Sequence, residues 1–282
     1  MKWLHNKISE NIKIRSMVSA FERVIVDGYS FSGESHDFWE MLYVEKGKVC
    51  VSADDRVFEL YENEIIFHKP MELHKFYVDK GTDAKIFIMS FDLDGDSVSV
   101  LKNLSVRLSH MQKSLISNLI LRLKDNYKDN DNERSYLEYI DMTEGDSVVS
   151  QQIACAAELF LLSFIESNAE IEISNAPDAL VFKNAVNIMK KQVCEGISVP
   201  QVANACNVSV SYLKKVFGKF AGLGVHKYFL KMKIKYASIM LKEGKSVTEV
   251  SDVLGFSSQN YFSTVFKRET GVSPLGYKNE KL

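Results

Sequence analysis

Ser198-Val199-Pro200-Gln201-Val202-Ala203 and Ser246-Val247-Thr248-Glu249-Val250-Ser251 are one phrase written twice, 48 residues apart. Beyond a turn the offset becomes 49: Leu213 falls on Phe262, Phe217 on Phe266, Gly222 on Gly271 and Tyr228 on Tyr277. One extra residue has entered the second turn, and everything else stays in phase. An internal repeat constrains a fold more than local propensity does. Each copy reads as short helix, tight turn and longer helix, the helix-turn-helix that sets a helix in the DNA major groove.

The local signals agree. Val199, Val202, Ala203 and Cys206 recur at helical spacing behind Ser198, a residue suited to N-capping. Asn207 suits the turn, and Ser209 opens a second helix with Leu213, Val216 and Phe217 on its apolar side. Val210, Ser211, Lys214 and Lys215 lie on the other face. In the second unit Val247, Val250 and Leu254 lead to Gly255, which tolerates a positive φ. Phe256 then enters the core, and Ser257 or Ser258 caps a helix packing through Phe262, Val265 and Phe266. Its outward face carries Gln259, Asn260, Ser263 and Thr264. The segment Val225–Leu241, packing through Tyr228, Phe229, Met232, Ile234, Ala237, Ile239 and Leu241, joins the units and sets their spacing.

Charge supports DNA as the partner once the chain is divided. The whole chain carries −2, but residues 177–282 hold 16 basic against 7 acidic residues, a balance of +9, leaving −11 for residues 1–176. Such asymmetry marks a nucleic-acid-binding part joined to something else. At 282 residues and 46% hydrophobic, the chain is long enough for two cores. Residues 1–20 hold no signal-type apolar stretch, and no run of 18 apolar residues occurs, so no membrane partner is expected. Cys50, Cys155, Cys194 and Cys206 form no CxxC pair and read as reduced, mostly core thiols of a cytoplasmic protein.

The stretch from Val247 through GFSSQNYFSTVFKRETGVSPLGY (Gly255 to Tyr277) resembles the signature of AraC/XylS-type transcription regulators. The resemblance covers the C-terminal 100 residues and implies two recognition helices in successive major grooves. Thr264 stands where many members carry arginine, so the second unit lacks a bidentate fork for guanine. Lys233 stands where the joining helix usually starts Arg-Leu, which implies a weakened internal ion pair. Gln259 and Asn260 suit adenine edges, and Lys214 and Lys215 suit guanine or phosphate. Lys219, Lys227, Lys231, Lys235 and Lys267 suit phosphate or plain solvation.

The acidic part alternates short apolar runs with turn residues: Phe21–Val26, Trp39–Val44, Lys48–Ser52, Val57–Leu60, Ile65–Phe67, His74–Val78 and Lys85–Phe91. These predict an antiparallel β-barrel or sandwich. His36-x3-Glu40, Gly47, Pro70 and His74 are similar to the degenerate cupin barrel that precedes many AraC-type domains. Trp39 and Glu40, as strand neighbours, point to opposite sides. The fold expected is therefore α+β: a cupin-like effector-binding barrel over 1–105, a helical dimerisation and linking region over 106–170, and a DNA-binding domain over 177–282. In the middle region Met111, Leu115, Leu119 and Leu123 share one spacing, and Ile153, Ala157, Phe160, Leu161, Phe164 and Ile165 form another face. The polar stretch Lys124–Glu133 separates them. Ser147–Ser167 is the candidate homodimer contact, the alternative being helices packed on their own barrel. Ser167–Pro177 is the expected linker.

A small polar effector in the barrel, reached by His36, Phe38, Glu40 and His74 without a metal or other cofactor, is the expectation for the N-terminal part. The aromatic faces of Phe31, Tyr43 and Phe76 could line it or belong to the core. Two alternatives stay open: a cupin enzyme using His36, Glu40 and His74 with iron or zinc, or a ligand-independent DNA-binding dimer. Nucleophile elbows, phosphate loops and paired catalytic carboxylates are not evident, and no enzyme activity is expected. Partners are promoter DNA, a small-molecule effector (a carbohydrate by resemblance), a second copy and, if the protein activates, RNA polymerase.

Overall fold

The computed structural model describes residues 9–26, 28–126, 147–165 and 171–279. Seven antiparallel strands form the N-terminal part: β1 (Lys13–Ile25), β2 (Trp39–Ala53), β3 (Arg56–Tyr61), β4 (Glu64–His68), β5 (His74–Tyr77), β6 (Ala84–Asp94) and β7 (Ser105–Arg107). Two of the expected runs, Trp39–Val44 and Lys48–Ser52, merge into the single strand β2. Its first half pairs with β4 and β6, and its second half with β3 and β5. The register slips between Val44 and Lys46, and Gly47 has φ +85. A Cβ at Gly47 would lie 2.2 Å from the Asp83 carbonyl oxygen, so only glycine lets the strand turn there.

Both faces of β2 are buried, each by a different layer. Leu42, Val44, Val49, Val51 and Ala53 fill the space between the sheets with Phe58, Leu60, Ile86 and Ile88. Aliphatic and aromatic side chains thus fill the layer between the two sheets. Trp39, Met41 and Tyr43 face outward, against α1 (His110–Asn126) and α2 (Ser147–Leu162). Trp39 and Glu40 do diverge, yet both are buried, because a sheet covered on both faces has no polar side.

The spacing expected for α1 needs correction. Met111 is exposed, and the buried face is Gln112, Ile116, Leu119, Ile120 and Leu123. A strict four-residue stripe drifts by about 40° per step on a 3.6-residue helix, so packing follows mixed three- and four-residue steps. On α2, Ile153, Ala157, Phe160 and Leu161 are buried, as is Phe164 just beyond it, while Ile165 is more than a third exposed. Residues 127–133 of the expected polar break and 166–170 of the expected linker and dimer segment lie outside the described residues. Among the described residues no helix is long and apolar enough to cross a membrane. Of the four thiols only Cys50 is buried; Cys155 and Cys194 are exposed, against the core placement expected.

The helical part holds α3 (Pro177–Lys191), α4 (Val199–Ala205), α5 (Val210–Phe220), α6 (Val225–Lys242), α7 (Val247–Val253), α8 (Gln259–Thr270) and α9 (Pro274–Asn279). The repeat is visible atom by atom. Ser198 with Gln201, and Ser246 with Glu249, close the same capping box. Asn207 and Gly255, equivalent at offset 48, both take left-handed backbone, φ +54 and +62. The next caps are Ser209 and Ser258, so the extra residue lies between Gly255 and Ser258. Phe182 of α3 packs against Phe217, Phe220 and Tyr228, and Phe262, Phe266 and Tyr277 form the second aromatic group. Helix α6, about 27 Å long at 1.5 Å per residue, joins the two. Ile239, expected in its packing face, is half-exposed.

Lys233 also departs from expectation. Rather than a weakened ion pair, its buried ammonium donates to the Leu254 carbonyl at 2.6 Å and lies over the Phe229 and Phe256 rings. It caps the end of α7, where helix carbonyls lack partners.

Ser258 Oγ accepts the Tyr261 N–H at 3.1 Å. Ser258→Ala should therefore cost about 1 kcal/mol, read as a lower denaturation midpoint, while Ser257→Ala should leave the midpoint unchanged. Equal effects would place the cap one residue earlier.

Candidate nucleic-acid interface and the cluster beside it

Helices α5 and α8 each turn one side into the core and leave the other to solvent. On α5, Ser211, Lys214 and Lys215 are exposed and Val210 is half-buried; on α8, Gln259, Asn260 and Thr264 are exposed and Ser263 is half-buried. Seven of the eight expected residues thus lie off the packed faces, whereas Val210 packs against the helical core. Offset 49 aligns the two outward faces: Lys214 with Ser263, Lys215 with Thr264, and Lys219 with Arg268. Both units carry a cation in the last turn, and only the first carries cations mid-helix as well. Thr264 donates its hydroxyl to the Asn260 carbonyl at 2.9 Å, and Gln259 accepts from Thr248 at 3.0 Å. Two exposed residues of α8 escaped the sequence reading, Tyr261 and Arg268. Arg268 extends the Asn260–Thr264 stripe by one turn, a spacing that was available in the sequence.

The barrel grips the C-terminus of α5. Lys75 of β5 donates to the Gly218 and Lys219 carbonyls, both at 2.9 Å, and Ser52 of β2 donates to the Phe220 carbonyl. Burial lowers the Lys75 pKa, and no carboxylate stands among the causes. Its counter-charge is the negative end of the helix. Around this contact Asp54 accepts from Lys235 at 2.7 Å and, through its carbonyl, from Tyr228 at 3.0 Å, while Asp55 accepts from Lys190 at 2.6 Å. Backbone meets backbone at Gly33, where a Cβ would stand 2.4 Å from the Ala221 oxygen. Val57 and Leu73 of the barrel belong to the helical part's own core. The first helix-turn-helix unit is docked, not tethered.

At the same end of the barrel, His36, Glu40 and His74 come together as the sequence suggested. Glu34 joins them: the donor atoms of the four residues all lie within 4.8 Å of one another. Phe38 donates no ligand; its ring stacks on His36 at 3.8 Å, and its carbonyl accepts from His36 Nδ1 at 3.0 Å. His74 Nδ1 donates to the Glu72 carbonyl at 3.0 Å. His74 Nε2 stands 3.3 Å from Glu40 Oε1 and 3.7 Å from Glu34 Oε1, and His36 Nε2 is 3.6 Å from Glu40 Oε2. Burial disfavours the imidazolium of His74, but Glu40 and Glu34 outweigh it and raise the pKa to about 10. Burial likewise opposes ionisation of Glu40, yet His74, His36 and His68 hold its carboxyl well below the usual range. Glu34 has no local sequence signal: it joins the cluster through its backbone bridge to His74.

A cleft between the barrel and the helices runs past this cluster. One cavity of about 320 Å³ is bordered by His36, Asp37, Lys231, Glu269 and Tyr277. Another of about 300 Å³ is lined by Asp54, Leu73, Tyr228, Lys235 and Ile239. Ser35, Met71 and Lys231 border both.

A cupin-like barrel docked on paired helix-turn-helix units is the architecture of ligand-linked DNA-binding proteins. Known families agree: the AraC-like ligand binding domain matches residues 18–130 and the helix-turn-helix domain residues 202–280. The chain belongs to the AraC family of transcriptional regulators. It is 31% identical over 129 residues to the Msm operon regulatory protein of Streptococcus mutans, covering 45% of this chain and 44% of that protein. It is also 31% identical over 96 residues to the xylose operon regulatory protein of Escherichia coli, covering 34% and 24%. The matches span less than half the length of either relative. Among solved structures, ToxT from Vibrio cholerae aligns with a TM-score of 0.39 and 15% identity over 95% of this chain and 97% of that one.

Lys75→Met keeps the apolar stem and removes the donor, leaving two carbonyls at the end of α5 without their cap. Hydrogen exchange in the last turn of α5 should quicken about tenfold, the equivalent of 1.4 kcal/mol and within the range for one lost charged hydrogen-bond donor. Amides of β6 should be unaffected. No change in α5 would show that Lys75 does not hold the docked state.

Proposed function

We propose that this chain is a sequence-specific, cytoplasmic DNA-binding transcription regulator whose N-terminal domain governs how α5 and α8 are presented to a promoter. The observation that carries the reading is the pairing of two outward polar helix faces with a barrel whose Lys75 and Ser52 hold the end of one of them. An effector that prefers the docked or the undocked arrangement shifts the balance between them, by no more than its difference in affinity for the two. We place the effector in the interdomain cleft bordered by His36, with Phe38, Glu40 and His74 behind it. A small carbohydrate is the class favoured, supported by the xylose operon regulator among the relatives. The AraC/XylS resemblance favours activation, and with it contact to RNA polymerase. The protein is not an enzyme on this reading.

The homodimer is proposed through α1 and α2. Helix α2 buries one face on its own barrel, while Leu159 and Leu162, with Leu121 of α1, remain exposed.

The full chain should bind cognate promoter DNA with steep salt dependence, losing on the order of a thousandfold in affinity between about 50 and 200 mM salt as counterions are released. A salt-insensitive affinity would contradict a cationic interface.

Lys215→Ala and Gln259→Ala should each cost roughly 1–3 kcal/mol and relax preference at one base position. Lys242, exposed beside the Tyr277 ring, serves as the comparison, and Lys242→Ala should leave base preference intact. If that variant alone altered base preference in a binding-site selection, the assignment of the reading helices would be wrong.

A further inference from the structure

The cluster at the barrel end brings two imidazoles and two carboxylates together with their donor atoms within 4.8 Å of one another. His36 and His74 each commit Nδ1–H to a backbone carbonyl, Phe38 and Glu72 respectively, at 3.0 Å. That directs each Nε2 into the cluster. Both are buried without a hydrogen-bond partner. They face the carboxylates of Glu34 and Glu40 at 3.3–3.7 Å, an arrangement that calls for a positive charge between them, whether ring protons or a metal cation. His74 is 1% exposed and Glu40 5%.

We infer that Glu34, His36, Glu40 and His74 bind one divalent first-row transition ion, and that this ion fastens the Ser32–Glu34 segment against the end of α5. The donor set is two imidazole nitrogens and two carboxylates, a mixture that suits zinc, iron(II) or manganese(II). The spacing fits as well. A tetrahedral shell with bonds of 2.0–2.1 Å sets neighbouring donors about 3.4 Å apart, and the imidazole–carboxylate separations here are 3.3, 3.6 and 3.7 Å. The outer contacts are those that orient metal ligands: a carbonyl behind each imidazole, and Ser90 donating to Glu40 Oε2 at 3.1 Å. The second clause rests on the chain path. Glu34 exchanges both backbone hydrogen bonds with His74, at 2.9 and 3.0 Å, and its side chain is half-exposed. One residue earlier Gly33 abuts the Ala221 carbonyl, and Gly222 abuts that of Ser32. An ion that draws the Glu34 carboxylate inward holds this strip in place.

The test uses the full chain with Cys155→Ser and Cys194→Ser, since both thiols are exposed and would take up soft ions. After chelation and dialysis, manganese(II) is titrated and the free ion read by electron paramagnetic resonance. One ion per chain is expected, with affinity at least about tenfold lower in Glu34→Gln and in His36→Gln. Circular dichroism shows that the variants are folded; Glu34 is a half-exposed loop residue, so its variant should not unfold. Zinc, titrated against a chromophoric chelator, should compete for the same site. Absence of a stoichiometric ion, or binding indifferent to both substitutions, overturns the site. Hydrogen exchange at residues 219–222 should slow with manganese(II) in the parent and not in Glu34→Gln; binding without slowing overturns the clamp. Promoter affinity is measured on the same metal-free protein. Loss of the ion site with DNA binding intact sinks only this inference, and the reverse result sinks only the regulator reading.

Discussion

The bend of β2 at Gly47 is the constraint on which the molecule depends. The strand belongs to one sheet before the bend and to the other after it, and the Asp83 carbonyl leaves no room there for a Cβ. Because one strand serves both sheets, Glu40 near its start and Ser52 near its end are fixed relative to each other. The first belongs to the imidazole–carboxylate cluster and the second touches the end of α5. β5, hydrogen-bonded to the second half of β2, repeats the arrangement in two adjacent residues: His74 in the cluster and Lys75 on the helix. Alternation along a strand sends them to opposite sides. A shift in the backbone at His74 is therefore felt at Lys75 without an intervening element.

Among the described residues three lysines close helix ends or the turns just beyond them. Lys233 serves α7, Lys278 donates to the Gly244 and Lys245 carbonyls beyond α6, and Lys75 serves α5. The first two act within the helical part, and the third reaches from another domain. Burying an ammonium is costly unless its donors are satisfied. In the docked state Lys75 exchanges water for two carbonyls and a helix dipole, and neither side of that exchange is large compared with the other. Val57 and Leu73 add apolar burial to the same interface.

The helical part was legible because its information is local. Caps, left-handed turn residues and apolar spacing each act within a few positions, and a repeat writes them twice. The strands were legible as runs of residues, but their union into β2 was not, since the break at Glu45–Gly47 looks like a turn until Asp83 is seen beside it. His36, Glu40 and His74 could be grouped from sequence, whereas Glu34 could not, because its membership depends on a backbone bridge to His74 across 40 positions. Lys75 and Ser52 were illegible for a different reason. On a strand pattern they read as outward polar residues, and only the docking of a second domain turns that surface into an interior.

The additional residue between Gly255 and Ser258 has a consequence for the duplex itself. Two helices proposed to read DNA that differ in the turn that launches them, and in whether they carry mid-helix cations, are not interchangeable. A single chain laid along DNA then has a head and a tail, and its target carries an arrow rather than a mirror. A promoter element bound this way distinguishes upstream from downstream even when one copy is bound. In a pair of copies, the relative direction of the two arrows is left to the joint between them and not to the bases they read.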